Sequence, residues 1–342
     1  MPLHVSIGKP ITAPDVVAIS DGDSKSANPL VSLVIPCYKQ AQYLGRAIES
    51  VLNQSYRDFE IIVVDDGSPD NTRRIALRYP SVKYILQRNK GNAAARNTGW
   101  RASTGEFTVF LDADDVLYAN ALQAGVDALR DNPDVALTSG LCRVLHAETG
   151  KGYKQKPLTA PASYLELLKG NFIWHPASAM FRRSVLESGI TFNENFYYVA
   201  DLELYFTVAR TSKISAHNEL VSEYIKHEGS ITSDVGGSLK GRLAVRRAQS
   251  RFIKGVELKA AYEQGIGNVY KIAAQKLIDE LIRQNDSAAA RKIARELLGA
   301  VAFNPRAISN VLDTFRQADE KQKLKYNRDL AIRILRLLTN RA

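Results

Sequence analysis

Leu30-Val31-Ser32-Leu33-Val34-Ile35-Pro36 and, further on, Phe59-Glu60-Ile61-Ile62-Val63-Val64 are the stretches that decide the fold. Each is a short apolar, β-branched run between polar segments, the pattern of a buried strand. Between them Ala41 to Asn53 repeats apolar residues at helical spacing through Leu44, Ile48, Val51 and Leu52. The alternation continues outward. Asn71 to Tyr79 reads as helix, Val82 to Leu86 as strand, Asn92 to Arg101 as helix and Phe107 to Leu111 as a fourth strand. Strands and helices in this order predict an α/β fold with a mainly parallel sheet flanked by helices.

The middle of the chain is mixed. Val135 to Leu145 and Ala177 to Phe181 predict strands, Ser163 to Leu168 and Leu202 to Ala209 predict helices, and Val221 to Ile225 is strand-like. Beyond Leu239 the composition turns to Ala, Leu, Lys and Arg, with helical spacing through Ile272, Leu277, Ile278, Leu281 and Ile282. Asp286 and Asn304-Pro305 read as further helix starts, so about four or five helices are expected there. Three parts follow: a polar, disordered tail over 1–28, an α/β domain over 29–235 and a basic helical region over 236–342. The charge supports the last division. From Leu239 to Ala342 there are 22 Lys and Arg against 10 Asp and Glu, whereas the remainder holds 24 against 26.

Composition excludes several classes. No apolar run approaches the roughly 18 residues that span a bilayer, and Met1 to Ala27 lacks the pattern of a signal peptide. Two cysteines, Cys37 and Cys142, support neither a disulfide framework nor a thiolate metal site, which points to a reduced, cytoplasmic setting.

In open parallel sheets, ligands bind beyond the carboxyl ends of the strands. Here those ends carry Pro36-Cys37-Tyr38-Lys39, Asp65-Asp66-Gly67-Ser68 and Asp112-Ala113-Asp114-Asp115. Clustered carboxylates repel one another, and a hard divalent cation such as Mn2+ or Mg2+ removes the repulsion. An acidic loop capping the next helix is the plainer alternative. Asp65 or Asp66 offers an acceptor for a nucleobase N–H, and Tyr38 a ring to stack on a base; turn chemistry and a rim tyrosine explain them equally. Gly91, small residues and then Arg96 at a helix start suit a diphosphate. Asp201 precedes the apolar run of Leu202, Leu204, Tyr205 and Val208, where it serves as a general base or as a helix cap. Lys226-His227-Glu228-Gly229-Ser230 places a histidine where it would complete a metal shell or meet phosphate.

Taken together, residues Leu30 to about Ser233 resemble family 2 of the inverting glycosyltransferases, which have the GT-A fold, a Rossmann-like sheet. The opening Val34-Ile35-Pro36-Cys37-Tyr38-Lys39 is similar to the family's strand and Pro-x-Tyr-Asn, with Lys39 in place of Asn. Val63-Val64-Asp65-Asp66-Gly67-Ser68-Pro69-Asp70-Asn71-Thr72 is similar to its nucleotide signature. Asn89-Lys90-Gly91 with Ala95-Arg96-Asn97-x-Gly99 matches the next block, and Phe110-Leu111-Asp112-Ala113-Asp114-Asp115 the Asp-x-Asp motif. Four motifs in order and spacing are specific where each alone is weak. The resemblance implies that Pro36, Tyr38 and Asp66 bracket a uracil, with Asp65 beside them, that Arg96 meets the phosphates, and that Asp112 and Asp114 serve ribose and metal. Asp115 is a further metal candidate, because related sequences differ in which acidic residue takes that duty. The family's base lies in a Glu-Asp pair; here the pair is Ala200-Asp201, so Asp201 inherits the role. Lys226, His227 and Ser230 match the family's later basic-His-x-x-Ser block near metal and diphosphate.

The implied activity is transfer of a sugar from a nucleotide sugar, UDP-linked, to a hydroxyl of a glycan or lipid-linked acceptor, as in cell-surface polysaccharide synthesis. Two other classes stay open. A nucleotidyl- or phosphoryl-transferase also uses clustered carboxylates, although no Gly-x-x-x-x-Gly-Lys-Ser/Thr loop is present. A non-catalytic module would use the basic C-terminal region to dock on an anionic membrane; nucleic acid fits less well, with no recognised motif. Along Lys321 to Arg341, Lys325, Arg328, Arg333 and Arg336 cluster on one helical side, opposite Leu324, Leu330, Ile334 and Leu337. That pattern suits peripheral contact with the inner leaflet, or packing on neighbouring helices.

Overall fold

The computed structural model describes residues 28–227 and 234–283. The tail up to Ala27, Ser230, and the helix starts and basic stripe beyond Asp286 lie outside the described residues.

Strands β1 (Val31–Cys37), β2 (Phe59–Asp65), β3 (Val82–Leu86) and β4 (Phe107–Phe110) pair in parallel in the order β3-β2-β1-β4. Helices α1 (Ala41–Leu52), α2 (Thr72–Ala76) and α3 (Asn92–Arg101) connect them. Alternate strand residues serve the two faces, as the pleat requires. Leu33, Ile35, Ile61 and Val63 pack with Leu44, Ile48 and Val51 of α1, while Val34, Ile62 and Val64 pack with Ala93 and Ala95 of α3. A Cβ on Gly99 would collide with Val34, so the glycine lets α3 lie directly on the sheet. Helix α2 is shorter than the predicted Asn71 to Tyr79, its end tightening into turns in which Arg78 N donates to Ile75 O and Tyr79 N to Ala76 O ahead of Pro80.

The second half adds β5 (Val116–Leu117), α4 (Ala121–Arg130), β6 (Val135–His146), β7 (Gly152–Lys154), α5 (Tyr164–Lys169), β8 (Ala179–Arg182), α6 (Arg183–Glu187), α7 (Ala200–Thr211) and β9 (Lys213–Lys226). The sheet continues β4-β8-β6-β9-β5, with β7 on β6. Strand β8 runs antiparallel to both β4 and β6, and β9 runs parallel to β6. Strands β6 and β9 therefore point the same way as β1 to β4, which makes the sheet mixed in pairing but mainly one direction. Two further helices, α8 (Val235–Ala248) and α9 (Gly255–Arg283), return against α5. Arg246 donates to Leu168 O at 2.8 Å and Leu167 O at 3.3 Å, and Asn268 Nδ2 donates to Lys169 O at 2.8 Å. These bonds satisfy carbonyls that the end of α5 leaves without helical partners. No helix among the described residues is long and apolar enough to cross a membrane.

Candidate active site

Because β1, β2, β4, β6 and β9 share a direction, their carboxyl ends form one edge, and the predicted residues of the β1, β2, β4 and β9 ends lie along it. At the end of β2, Asp65 accepts from Ser68 N at 2.7 Å and from the Tyr84 hydroxyl at 2.8 Å. Asp66 accepts from Gln87 Nε2 at 2.7 Å, Lys90 N at 2.9 Å and Gly91 N at 2.8 Å. Gly67 and Gly91, at φ 74° and 90°, supply the left-handed turns these bonds need. The two carboxylates thus shape the loops around them. A carboxylate has about four acceptor sites, so three donors leave one on Asp66 open. Tyr38 is 41% exposed beside them, an open ring at the rim. Lys39 has φ 57°, a conformation in which Asn is enriched, which gives a physical reason for Asn at this motif position.

Asp70 has a role that its motif position alone does not disclose. It accepts from Ala41 N at 3.0 Å, Thr72 N at 3.1 Å and Thr72 Oγ1 at 2.6 Å, tying the first turns of α1 and α2 to the loop. Burial works to raise its carboxyl, but the bonds from Thr72 and Ala41 overcome that and hold it below the usual range.

Next along the edge is Arg96, which is only 5% exposed. Its Nη2 meets Asp112 Oδ1 at 2.6 Å, and its guanidinium lies 5.1 Å from the Phe192 ring centre. Asn97 holds Phe192 there, donating to its O at 2.9 Å and accepting from its N at 3.0 Å. The Arg96 Nε–H has no protein acceptor, a buried donor left available. Asp201, partly buried at the start of α7, belongs to the same charge network. Burial opposes the charge on Arg96, yet Asp112 and Asp201 outweigh it and keep the guanidinium charged. Burial likewise pushes the Asp201 carboxyl up, with Arg96 pulling it down.

On the third side, Asp114 Oδ2 lies 2.9 Å from His227 Nε2. Burial, then the charges of Asp115 and Asp112, push the Asp114 carboxyl up to about 7, against the pull of His227. Asp115 is 1% exposed and accepts from Ile225 N at 2.9 Å. Its other oxygen lies 3.3 Å from His175 Nδ1, close but not aligned as a hydrogen bond. His175 Nε2 in turn sits 2.9 Å from Ser222 Oγ, with its ring stacked on Tyr224 at 5.6 Å. Asp115 therefore fastens the end of β9 to the acidic loop, two residues before His227. His175 carries no motif of its own in the sequence, and its partners are remote in the chain.

The residues suit a divalent cation. Among the described residues no three His, Cys, Asp or Glu side chains converge as a closed ligand set. Asp114 and His227 instead offer an incomplete set beside Asp112 and Asp115, whose charges push the Asp114 carboxyl up. That matches a hard cation taking one or two protein ligands and completing its shell with phosphate oxygens and water.

Residues 32–189 match the profile of Glycosyl transferase family 2. The glucosyltransferase WfgD of Escherichia coli, whose name specifies UDP-Glc and α-D-GlcNAc-diphosphoundecaprenol, is 31% identical over 218 residues. That match covers 62% of this chain and 83% of WfgD. An uncharacterized glycosyltransferase of Rickettsia conorii is 32% identical over 213 residues, 59% of this chain but 35% of that longer protein. Among solved structures, S. aureus TarS 1–349 in complex with UDP-GlcNAc superposes with a TM-score of 0.59 at 18% identity, covering 90% of each chain. The mannosyltransferase PcManGT of Pyrobaculum calidifontis, with GDP-Man and Mn2+, gives 0.58 at 20% identity, covering 92% and 87%. With the ordered motifs on one sheet edge, these likenesses establish that the chain belongs to glycosyl transferase family 2 and has the GT-A fold.

Proposed function

We propose that this chain is an inverting, cation-dependent glycosyltransferase moving a hexose or N-acetylhexosamine from a UDP-sugar to a hydroxyl of a glycan or lipid-linked acceptor. The observation that carries it is the convergence of Arg96, Asp112 and Asp201 in one charge network, beside the Asp114–His227 pair. Pro36, Tyr38, Asp65 and Asp66 hold the uracil. Arg96 gives up Asp112 for a diphosphate oxygen, and Asp112 is then free to accept from a ribose hydroxyl. Lys226 and Ser230 add to the phosphate side. Mn2+ or Mg2+ held by Asp114 and His227, with Asp115 as the strut behind them, would neutralise charge on the departing diphosphate. Asp201 takes the proton of the acceptor hydroxyl as its oxygen attacks the anomeric carbon opposite the leaving UDP, so one displacement inverts the configuration. The names of WfgD and of the TarS complex favour a UDP donor. A lipid-linked acceptor would place the protein on the cytoplasmic face of the membrane, held peripherally.

The test is incubation with a panel of UDP-sugars, Mn2+ and candidate acceptors. Free UDP is expected as product; pyrophosphate would instead indicate nucleotidyl transfer. Asp201→Asn is expected to lower transfer by about 10²- to 10⁴-fold, the usual worth of a general base, with UDP affinity kept. Normal turnover by that variant would remove Asp201 from the mechanism.

A further inference from the structure

Two large aromatic side chains stand open on the second half of the sheet: Trp174 is 36% exposed and Tyr153 49%. Their ring centres lie 5.9 Å apart with the planes at 66°, edge to face. His146 adds a third ring, 6.4 Å from that of Tyr153. The corner is held from behind. Tyr153 lies opposite Val144 of β6, and Val144 opposite Tyr224 of β9, so the three side chains share one face of the sheet. On that face Tyr224 carries the stacked ring of His175, the residue after Trp174. The buried Gln155, next after β7, clasps hairpin and segment together. Its Oε1 accepts from Cys142 N at 3.2 Å, and its Nε2 donates to Phe172 O, two residues before Trp174. A Cβ on Gly152 would collide with the Val144 carbonyl, so the glycine lets β7 lie this close. Ala147 N donates to Lys226 O at 2.9 Å, which ties the same hairpin to the end of β9.

Strand order fixes where this corner stands. Along the carboxyl edge come Asp66 at β2, Tyr38 at β1, the acidic loop after β4, and then the corner, on β6, β7 and the segment that leads into β8. The acidic loop therefore has the base-side residues on one flank and the two rings on the other. His175 joins rings and loop, its Nδ1 3.3 Å from Asp115. Exposed aromatic rings fixed by buried hydrogen bonds lose little freedom when something stacks on them. Their faces carry negative potential and attract polarised C–H bonds. A pyranose ring supplies one face of such bonds and a rim of hydroxyls. The other exposed side chains of the hairpin suit that rim, since Glu148, Lys151 and Lys154 are charged. An apolar surface edged by polar groups is the pattern of a ligand site, whereas a bilayer would have to desolvate Glu148.

We infer that Trp174 and Tyr153 form a stacking subsite for a sugar ring of the acceptor, so that the acceptor is recognised as a glycan and not through an apolar chain. Gln155 is a positioning residue that keeps the two rings in register. This rests on the glycosyltransferase reading and narrows its acceptor.

The experiment uses the full chain with UDP and Mn2+ present, titrated with cellotetraose, maltotetraose and chitotetraose and followed by tryptophan emission and by calorimetry. Trp100 packs against the core, so an emission change on stacking reports Trp174. At least one tetrasaccharide is expected to change the emission of the wild type, and to bind about tenfold more weakly to Trp174→Ala and to Tyr153→Ala, the worth of one well-placed ring contact. Trp174→Tyr is expected to keep the affinity within about threefold while losing the emission change. No change with any tetrasaccharide would overturn the subsite, and a change with phosphatidylglycerol vesicles alone would assign the rings to a membrane. Variants that lose affinity for UDP-N-acetylglucosamine and keep it for the tetrasaccharide would also overturn it, assigning the rings to the donor sugar. Thermal unfolding of each variant separates lost binding from lost folding. These titrations need no turnover, so failure of the underlying reading is seen separately, as no UDP release from any UDP-sugar.

Discussion

Asp201 and Arg96 set each other's proton affinity. A general base works unprotonated, so turnover rises with pH through its pKa. Burial raises the Asp201 carboxyl, and the acid limb of kcat/KM is expected above the usual carboxylate range. Arg96 favours the carboxylate, so Arg96→Met should move that limb to still higher pH, each unit being worth about 1.4 kcal/mol. A limb unmoved by the substitution would mean the two charges are uncoupled. Stability has the opposite dependence. A carboxyl whose folded pKa is raised favours folding when protonated, a contribution present at low pH and lost as pH rises through the folded value. Asp201→Asn should therefore melt higher than the wild type at pH 8, with the gap closing as pH falls below the unfolded carboxyl's range. At this scale the sequence disclosed residue identities better than duties. The motif proposes Asp66 for the nucleotide and does not disclose that three donors, from Gln87, Lys90 and Gly91, make it the anchor of that loop.

Elements recognised from sequence were those whose signals are local. Strands β1 to β4 and helices α1 and α3 each carry their own period and their own flanking turns. Strand β9 was legible only from Val221, because Lys213 to Leu220 is largely exposed and its pairing with Val135 to Leu141 comes from residues far back in the chain. The same limit hid the relay Asp115–His175–Ser222, which joins the acidic loop, the segment before β8 and strand β9. Asp115 and its donor Ile225 N are 110 residues apart, beyond any motif. His175 is a positioning residue in this arrangement. His175→Gln is expected to weaken Mn2+ binding to the UDP-loaded protein by roughly 10- to 100-fold, the usual effect of losing support behind a metal ligand, as followed by titration calorimetry. Unchanged Mn2+ affinity in a folded variant would show that the relay only packs. Gly99→Ala tests the contact of α3 with the sheet. An added methyl against Val34 should cost about 1–3 kcal/mol and lower the melting temperature.

Over the whole molecule, the division by charge and the division by packing fall in different places. The basic excess begins near Leu239 and suggests a separate C-terminal part. Yet Val245 and Ala261 belong to the same buried cluster as Leu167, Phe206 and Val34. Charge lies on surfaces and is readable residue by residue; which helix covers the end of α5 depends on shape, and no residue pattern states it. Arg246 is the joint between the two: 4% exposed, it lies 5.5 Å from the Phe206 ring centre and donates to the carbonyls of Leu167 and Leu168. Arg246→Ala leaves those acceptors buried and opens a cavity, at an expected cost of about 3–5 kcal/mol. Total stability of a domain is about 5–15 kcal/mol, so the variant should still fold with a much lower midpoint. The two tryptophans, Trp100 and Trp174, lie outside α8 and α9 and report on the sheet half alone. If α8 and α9 complete one cooperative core, denaturant midpoints from tryptophan fluorescence and from far-ultraviolet circular dichroism will coincide in the wild type and fall together in Arg246→Ala. An unmoved fluorescence midpoint beside a lowered dichroism midpoint would make the helices an independently folding unit.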